Sequence, residues 1–334
     1  MRERMEMYVA PLLAGLLALV TLVGLIGPAI KSPSPHDIPV GLAGPPPATQ
    51  QIAQAFATNA PGAFKFTTYS SEGDARAAID SRDIDGALVI DPSGPKLILA
   101  GAAGDGATGV INGAFSNVFK SQGQTLAVET VHPFASGDPH GLILFFVVLG
   151  ILVSTLIAQA LVGTRKGLRL ITRLSLVVAF ALLAAPIALG LATWIAGDYG
   201  SGIWLAMALL ALGSAAVGAV IAGSAALLGR PGIGLAALIV VLLDLVCSGG
   251  PIGSQLLPDA YRWLAPGMPA GQLYSALRGA LYFDAAGLAE PFGVLSLWLL
   301  GGLILMVLGQ LVGRRSPAGE GAVVPSLAPH GANR

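Results

Sequence analysis

Six long apolar stretches constrain the fold of this chain more than any other feature of its sequence. They cover residues 8–30, 141–163, 174–196, 203–228, 233–250 and 292–312. A bilayer core about 30 Å thick is crossed by a helix of roughly 20 apolar residues, so each stretch has about the length of one span. Charged residues make up only 11% of the chain, against roughly 25% in soluble domains. The sequence predicts an α-helical integral membrane protein with six transmembrane helices.

The first apolar stretch indicates a retained membrane anchor rather than a cleaved signal peptide. It follows the short basic start MRERMEM, and its apolar part is 23 residues long. A cleavable signal has an apolar region of about 7–15 residues, followed by a small-residue cleavage site. The stretch instead ends in GPAIKS, without an A-x-A pattern. Residues 1–30 are therefore interpreted as a cytoplasmic stub and the first transmembrane helix.

The positions of lysine and arginine predict how the chain is oriented in the lipid bilayer. Positive residues follow the second, fourth and sixth apolar stretches, whereas the loop 197–202 has none. The loop 164–173 holds four of them: Arg165, Lys166, Arg169 and Arg173. Short loops rich in positive charge stay on the cytoplasmic side of a membrane. Both termini are therefore expected in the cytoplasm, with residues 31–140 and 251–291 outside.

The segment 31–140 is predicted to be an exported α/β domain inserted between the first and second transmembrane helices. FKFTTYS alternates between apolar and polar residues, and IPVGLAG, DGALVIDP and PKLILAGAAG are further strand-like runs. Between the strands, Ser71 and Asp74 have the spacing of a capping box at a helix start, and Ile111 and Phe115 share one helical face. Alternating strands and helices predict at least some parallel strand pairing.

No motif of a known catalytic site is present. A P-loop needs G-x-x-x-x-G-K-[ST], and none of the lysines follows a glycine. H-E-x-x-H, C-x-x-C and G-x-S-x-G are also absent, and Cys247 is the only cysteine. The chain is therefore not expected to be an enzyme or to hold a cofactor. Its formal net charge of zero gives no basic footprint for nucleic acid.

Three potential metal ligands, His132, Asp138 and His140, lie near the start of the second apolar stretch. Imidazole nitrogen and carboxylate oxygen both bind zinc, so a metal site is one interpretation. Their spacing favours the other interpretation, in which they are solvated side chains of a linker.

Polar residues within the predicted spans are candidates for a translocation path. Asp244 is the only ionisable residue within a span and is a candidate proton carrier, cation site or substrate contact. It lies four residues before Ser248, so the alternative is a residue near the membrane surface, solvated by local water or the Ser248 hydroxyl. Gln159, in the second span, either lines a polar path or bonds to another helix.

The fifth apolar stretch ends in a polar segment formed by Ser248, Gly249, Gly250 and Pro251. Irregular backbone at membrane depth is tolerated only where protein or a water-filled cavity satisfies its polar groups. These residues are therefore expected inside an assembly or at its mouth, as a candidate outer gate. Residues 248–290 are predicted to form an outer hairpin that is re-entrant or interfacial.

Within this hairpin, Tyr274, Arg278 and Tyr282 recur every four residues. They follow Pro269, which is well placed in the first turn of a helix. The pattern predicts an interfacial helix whose Tyr/Arg stripe anchors in the headgroup region. Direct contact between the stripe and a substrate is the alternative.

The hairpin also carries a resemblance to a known family. Its series of short motifs resembles the last third of ABC-2 type transporter permeases. In order along the chain, these motifs are SGGP, LP, WLAPGMPAG and LRG. Two further segments resemble the branch of this family that is similar to phage-infection proteins. The exported domain of that branch is resembled by DARAAIDSRDIDGALVIDPSG, and the approach to its second transmembrane helix by PFASGDPHGLILFF. This resemblance implies one helix, an exported α/β domain, a five-helix domain over 141–313 and a cytoplasmic tail at 314–334, which is predicted to be disordered.

The resemblance implies that this chain is the permease subunit of an exporter for a lipid-like or cell-envelope substrate. The resemblance implies a location in the plasma membrane of a prokaryote and pairing as a homodimer or pseudodimer. It also implies a separate cytoplasmic ATPase, which would bind the ATP. Arg165, Lys166, Arg169 and Arg173 are the candidate ATPase-docking loop, and ordinary topology charges are the alternative. Two other functions remain open: an envelope scaffold that binds partners without transport, and a proton-coupled carrier that uses Asp244.

Overall fold

The computed structural model describes residues 2–165 and 167–315 of the chain. Five of the described helices are long and apolar enough to cross a membrane, by length and composition. These candidate spans are Leu142–Gly163, Leu170–Ala196, Gly200–Leu228, Arg230–Cys247 and Ala289–Val312. They confirm the prediction of a multi-pass, mostly helical membrane protein. Lys166 of the basic loop and residues 316–334 of the predicted tail lie outside the described residues.

The first helix, α1 (Arg2–Lys31), differs from the five spans. Within the described residues its apolar part is Gly15–Ala29, which is shorter than the other spans. It contacts the rest of the chain near its end, where the Tyr261 hydroxyl donates to the Leu25 carbonyl at 2.8 Å. A sixth transmembrane helix therefore stays a prediction.

A small mixed sheet follows α1. Its strands are β1 (Ile38–Ala43), β2 (Phe64–Tyr69), β3 (Gly86–Asp91), β4 (Gly94–Ala100) and β5 (Ala127–Val131), in the spatial order β2-β1-β3-β4-β5. The intervening helices are α2 (Pro46–Asn59), α3 (Glu72–Asp80) and α4 (Asp105–Ser121). β3 and β4 form an antiparallel hairpin, and the other neighbouring strands run parallel. We refer to residues 34–134 as the sheet domain.

Helices cover both faces of the sheet. On one face, Phe56 of α2 and Phe115 of α4 pack with ring centroids 4.8 Å apart, in a core with the apolar side chains of the strands. On the other face, Ala75 and Ile79 of α3 are buried, and the same core includes Phe283 from outside the sheet domain. The second face therefore joins the sheet domain to the hairpin that follows the fourth membrane span.

The membrane part begins with α5 (Leu142–Gly163), α6 (Leu170–Ala196) and α7 (Ile203–Leu228). The next span consists of α8 (Arg230–Ala237), a π-helical segment (Leu238–Leu243) and α9 (Asp244–Cys247). Of the five spans, α7 is the most enclosed, because 67% of its most apolar window is buried by protein. This agrees with its content of glycine and alanine, which allows close approach of neighbouring helices.

Residues 248–290, which we call the outer hairpin, connect the fourth span to the last. They contain α10 (Asp259–Leu264) and α11 (Pro269–Tyr282), and α12 (Ala289–Arg315) follows. α11 is not confined to a surface, since nine of its 14 residues are buried. Leu273 of α11 contacts Gly213 of α7, so this helix is packed into the bundle.

Candidate functional site

A polar cavity lies between the sheet domain and the outer hairpin. It has two adjoining chambers, of about 450 and 210 Å³. Arg82, Gln255, Ser275 and Arg278 line both chambers. The larger chamber extends to Cys247, the last residue of the fourth span. The cavity therefore connects the sheet domain with the end of a membrane helix.

Arg82 enters this cavity from the sheet domain. It follows the end of α3 in a left-handed conformation with φ of +64°, which is uncommon for a residue other than glycine. Its guanidinium donates to the Ser275 carbonyl at 3.1 Å, the Ala286 carbonyl at 3.3 Å and the Ser275 hydroxyl at 3.0 Å. The guanidinium also lies 5.2 Å from the ring centroid of Phe283. All these contacts reach across to the outer hairpin.

Arg278 enters the cavity from α11 on the opposite side. Its Nη1 donates to the carbonyls of Ala102 and Ala103 in the sheet domain. The guanidinium lies 4.8 Å from the ring centroid of Tyr274, whose hydroxyl donates to the Gly141 carbonyl at 3.2 Å. The Nε of Arg278 is buried and has no hydrogen-bond partner among the described residues. Arg82 and Arg278 thus cross the same interface in opposite directions.

The two guanidiniums leave positive charge in the cavity without a paired carboxylate. Among the described residues, neither Arg82 nor Arg278 forms a salt bridge. Burial, with the nearby charge of Arg278, lowers the pKa of Arg82 to about 10. Asp85 lines the smaller chamber and accepts from the Gln255 amide at 3.1 Å. Burial raises the pKa of Asp85, while the Gln255 hydrogen bond and the charges of Arg278 and Arg82 act to lower it.

The predicted polar segment at residues 248–251 lies beside this cavity. The Ser248 hydroxyl donates to the Leu245 carbonyl at 2.7 Å and accepts from the Gly250 N–H at 3.1 Å. Gly249 has a φ of +69°, and a Cβ there would lie 2.5 Å from the Ser254 nitrogen. The backbone therefore turns too tightly for any other residue at this position. The side chain of Pro251, the last residue of this segment, lies outside the described part of the chain.

Asp244 caps the N-terminus of α11 inside the membrane bundle. It is fully buried, and its two carboxyl oxygens accept from the Ala270 N–H at 2.9 and 2.8 Å. Pro269 has no N–H, so Ala270 carries the first free donor of the helix. The Ser248 hydroxyl, one of the two partners expected to solvate Asp244, donates instead to the Leu245 carbonyl. Solvation of Asp244 by local water stays a prediction. Among the described residues, the partner of this acid is the N-terminus of α11.

Gln159 does not lie with the cavity residues. It is buried in α5, and its Oε1 has no hydrogen-bond partner among the described residues. One helical turn earlier on α5, Thr155 bonds to Ser214 of α7 at 2.9 Å. Thr155 therefore links two helices, whereas the role of Gln159 in a path stays a prediction.

The arginines of the basic loop differ in their exposure to solvent. Arg165 and Arg169 are exposed. Arg173 instead lies within α6 and is only 8% exposed. The prediction that Arg173 belongs to a surface docking loop is corrected, because its side chain is enclosed by the bundle.

Tyr274, Arg278 and Tyr282 contact protein rather than a headgroup region. Tyr274 is 5% exposed. Tyr282 packs edge to face with Phe134, at 5.4 Å between ring centroids. The interpretation of α11 as an interfacial helix anchored by this stripe is therefore corrected. The stripe instead joins the outer hairpin to the sheet domain and to the start of α5.

The three potential metal ligands that precede α5 are held in separate arrangements. The ring of His132 bonds to Asp80 and to the Tyr282 carbonyl, and His140 bonds to Asp105. The Asp138 carboxylate accepts from two backbone N–H groups at the start of α5, which makes it a helix cap. Among the described residues, no group of three or more His, Cys, Asp or Glu side chains is arranged to hold a metal ion.

Family models, curated proteins and solved structures gave no match to this chain.

Sequence patterns predict only some of the residues that line the cavity. Arg278 belongs to a visible stripe, and Ser248 and Gly250 to a visible break in a span. Arg82 and Gln255 lie in loops without a periodic pattern, and only the tertiary fold brings them to Arg278. The sole local signal at Arg82 is its place after α3, where a helix commonly ends with a left-handed residue.

Proposed function

We propose that this chain is the permease subunit of an ATP-driven exporter of the ABC-2 type, which moves a lipid-like or cell-envelope substrate. A separate cytoplasmic ATPase supplies the energy, and two copies of the chain form the working dimer. The protein lies in the plasma membrane of a prokaryote, with both termini in the cytoplasm and residues 31–140 outside.

The observation that supports this proposal is the position of the cavity relative to the basic loop. Tyr274 lines the cavity and bonds to Gly141, immediately before α5, whereas Arg165 and Arg169 follow the other end of that helix. α5 has 22 residues, or about 33 Å at a rise of about 1.5 Å per residue. One membrane thickness therefore separates the cavity from the basic loop. By the positive-inside rule the loop is cytoplasmic, and the cavity opens outside.

A proton-coupled carrier that uses Asp244 is less well supported by the same geometry. Both carboxyl oxygens of Asp244 are engaged by the Ala270 N–H, and the side chain is fully buried. This gives the acid a structural role in the placement of α11. An envelope scaffold that binds partners through the sheet domain is the remaining alternative, and it requires no ATPase.

The exporter proposal is tested by purification of the protein from its native membranes in mild detergent. Mass spectrometry is expected to find an ATP-binding subunit in a fixed ratio to this chain. We expect the double variant Arg165→Glu, Arg169→Glu to lose that subunit, because two exposed positive side chains of the docking loop become negative. Arg230→Glu, at an exposed arginine between the third and fourth spans, is the matched control and is expected to retain it.

Two results would count against the exporter. One is repeated absence of any ATP-binding subunit from wild-type protein that elutes as a folded dimer, which would favour the scaffold. The other is a stoichiometric ATPase that stays bound to the double variant, which would remove the basic loop from the interface.

A further inference from the structure

We propose that the cavity between the sheet domain and the outer hairpin binds the phosphate group of an amphipathic lipid, with Arg82 and Arg278 as its principal ligands. This inference names the chemistry of the substrate and to that extent rests on the proposed exporter function. Binding itself requires no ATPase, so the two proposals can fail separately.

The first argument is the uncompensated charge. Arg82 and Arg278 reach one cavity from separate parts of the fold, and the groups they bond to are carbonyls and a hydroxyl. Such contacts satisfy N–H donors but bring no negative charge. Two carboxylates line the cavity, Asp85 in the smaller chamber and Glu290 in the larger one, and among the described residues neither forms a salt bridge with Arg82 or Arg278. The buried Nε of Arg278 is a donor with no partner among the described residues. An anion in the cavity would neutralise both guanidiniums and would accept from the free donors.

The second argument is the number and type of donors around the two arginines. The hydroxyl-bearing side chains of Ser254 and Ser275 line both chambers, and Arg262 lines the larger one. Arg262 is already paired with Asp37 and Asp259, so the unpaired charge is that of Arg82 and Arg278. Phosphate presents several acceptor oxygens to guanidinium and hydroxyl donors at once, and arginine is the preferred residue for its recognition. The larger chamber, at about 450 Å³, is within the range of about 300–1,000 Å³ typical of small-molecule sites.

The third argument is an apolar groove that meets the polar cavity. This groove, of about 160 Å³, lies between α1 and residues 245–257, where Ile26, Leu245 and Leu257 are among its lining residues. Gly250 lines both the groove and the larger polar chamber. A phosphate at Arg82 and Arg278 would therefore have an apolar path beside it for an acyl chain. Free phosphate would leave the groove without an occupant, which favours a lipid.

The test is isothermal titration calorimetry of the full-length protein in dodecyl maltoside. Three probes are compared: dihexanoyl phosphatidic acid, dihexanoylglycerol, which lacks the phosphate, and inorganic phosphate. We expect saturable binding of the phosphatidic acid and at least tenfold weaker binding of the other two. Arg278→Gln is expected to weaken binding of the phosphatidic acid at least tenfold. Arg76→Gln is the matched control, because Arg76 lies in the sheet domain, pairs with Glu72 and Glu129 and does not line the cavity.

Each outcome supports or overturns a defined part of the proposal. Equal affinity for phosphatidic acid and inorganic phosphate would retain the oxyanion site and overturn the lipid. Equal affinity for dihexanoylglycerol, or no binding of phosphatidic acid, would overturn the phosphate site. The probe comparison uses wild-type protein, so it stays decisive if Arg278→Gln fails to fold, which thermal unfolding would reveal. Binding without an ATPase partner would contradict the exporter alone, and an ATPase partner without binding would contradict this inference alone.

Discussion

Gly302→Ala is expected to lower the midpoint of thermal unfolding of the purified protein by several degrees. Gly302 lies where α12 crosses α7, and a Cβ there would be 2.5 Å from the Val220 nitrogen and 2.6 Å from the Ala219 carbonyl carbon. These are backbone atoms, so the added methyl group can be accommodated only if the two helices move apart. Overpacking of this kind costs about 1–3 kcal/mol. The measurement is a thermal melt in detergent, with unfolding monitored by tryptophan fluorescence.

Gly301→Ala is the matched control for that experiment. It changes the neighbouring residue of the same helix, where a Cβ would meet no heavy atom within 4 Å. Alanine favours a helix over glycine by about 0.5–1 kcal/mol, so this variant is expected to melt at the wild-type temperature or slightly above it. Equal destabilisation by the two variants would contradict the close α7–α12 crossing.

Replacement of Asp244 is expected to separate its structural role from a role in proton transfer. Asp244→Ala removes the acceptor of the Ala270 N–H in a fully buried position. A buried donor left without a partner costs about 1–3 kcal/mol, so this variant is expected to lower the unfolding midpoint by several degrees. Asp244→Asn retains one carbonyl oxygen that can accept from Ala270, and a much smaller change is expected.

The asparagine variant also tests the carrier hypothesis. Asparagine cannot carry a proton, so a carrier that uses Asp244 would lose its activity and pH dependence in Asp244→Asn. The capping role instead requires that this variant keep the function of the folded wild-type protein. A folded Asp244→Asn protein without function would contradict our assignment of this acid to the placement of α11.

Much of the fold follows from local patterns in the sequence. Long apolar runs indicate the membrane spans, and the capping-box-like pattern at Ser71 is present in the structure, where its hydroxyl accepts from the Asp74 N–H at 3.1 Å. The sequence does not predict the strand β5. Its run AVETV has two apolar residues, Ala127 and Val128, followed by two polar ones, so it lacks the alternation of apolar and polar residues that indicates a strand.

The candidate site was less accessible to prediction, because its residues meet only through tertiary contacts. The sequence singled out Asp244 and Arg278 but gave no means to find their partners. Ala270 reaches Asp244 through a backbone N–H, which leaves no trace in the residue type. Arg82 meets Ser275 across nearly two hundred residues of chain, and such a contact leaves no periodic pattern. The same long-range packing places the side chains of Tyr274, Arg278 and Tyr282 against protein, so they do not anchor in the headgroup region.

The proposed topology places the cavity on the side of the membrane opposite the basic loop. Its most direct test is labelling of single-cysteine variants in intact cells with a membrane-impermeant maleimide, in a Cys247→Ala background that removes the only native cysteine. Ser254→Cys reports on the cavity, Asn117→Cys on the surface of the sheet domain and Thr164→Cys on the basic loop. We expect the first two to be labelled in intact cells and Thr164→Cys only after permeabilisation. Labelling of Thr164→Cys in intact cells, with Ser254→Cys and Asn117→Cys protected until permeabilisation, would contradict this topology and place the cavity on the cytoplasmic side.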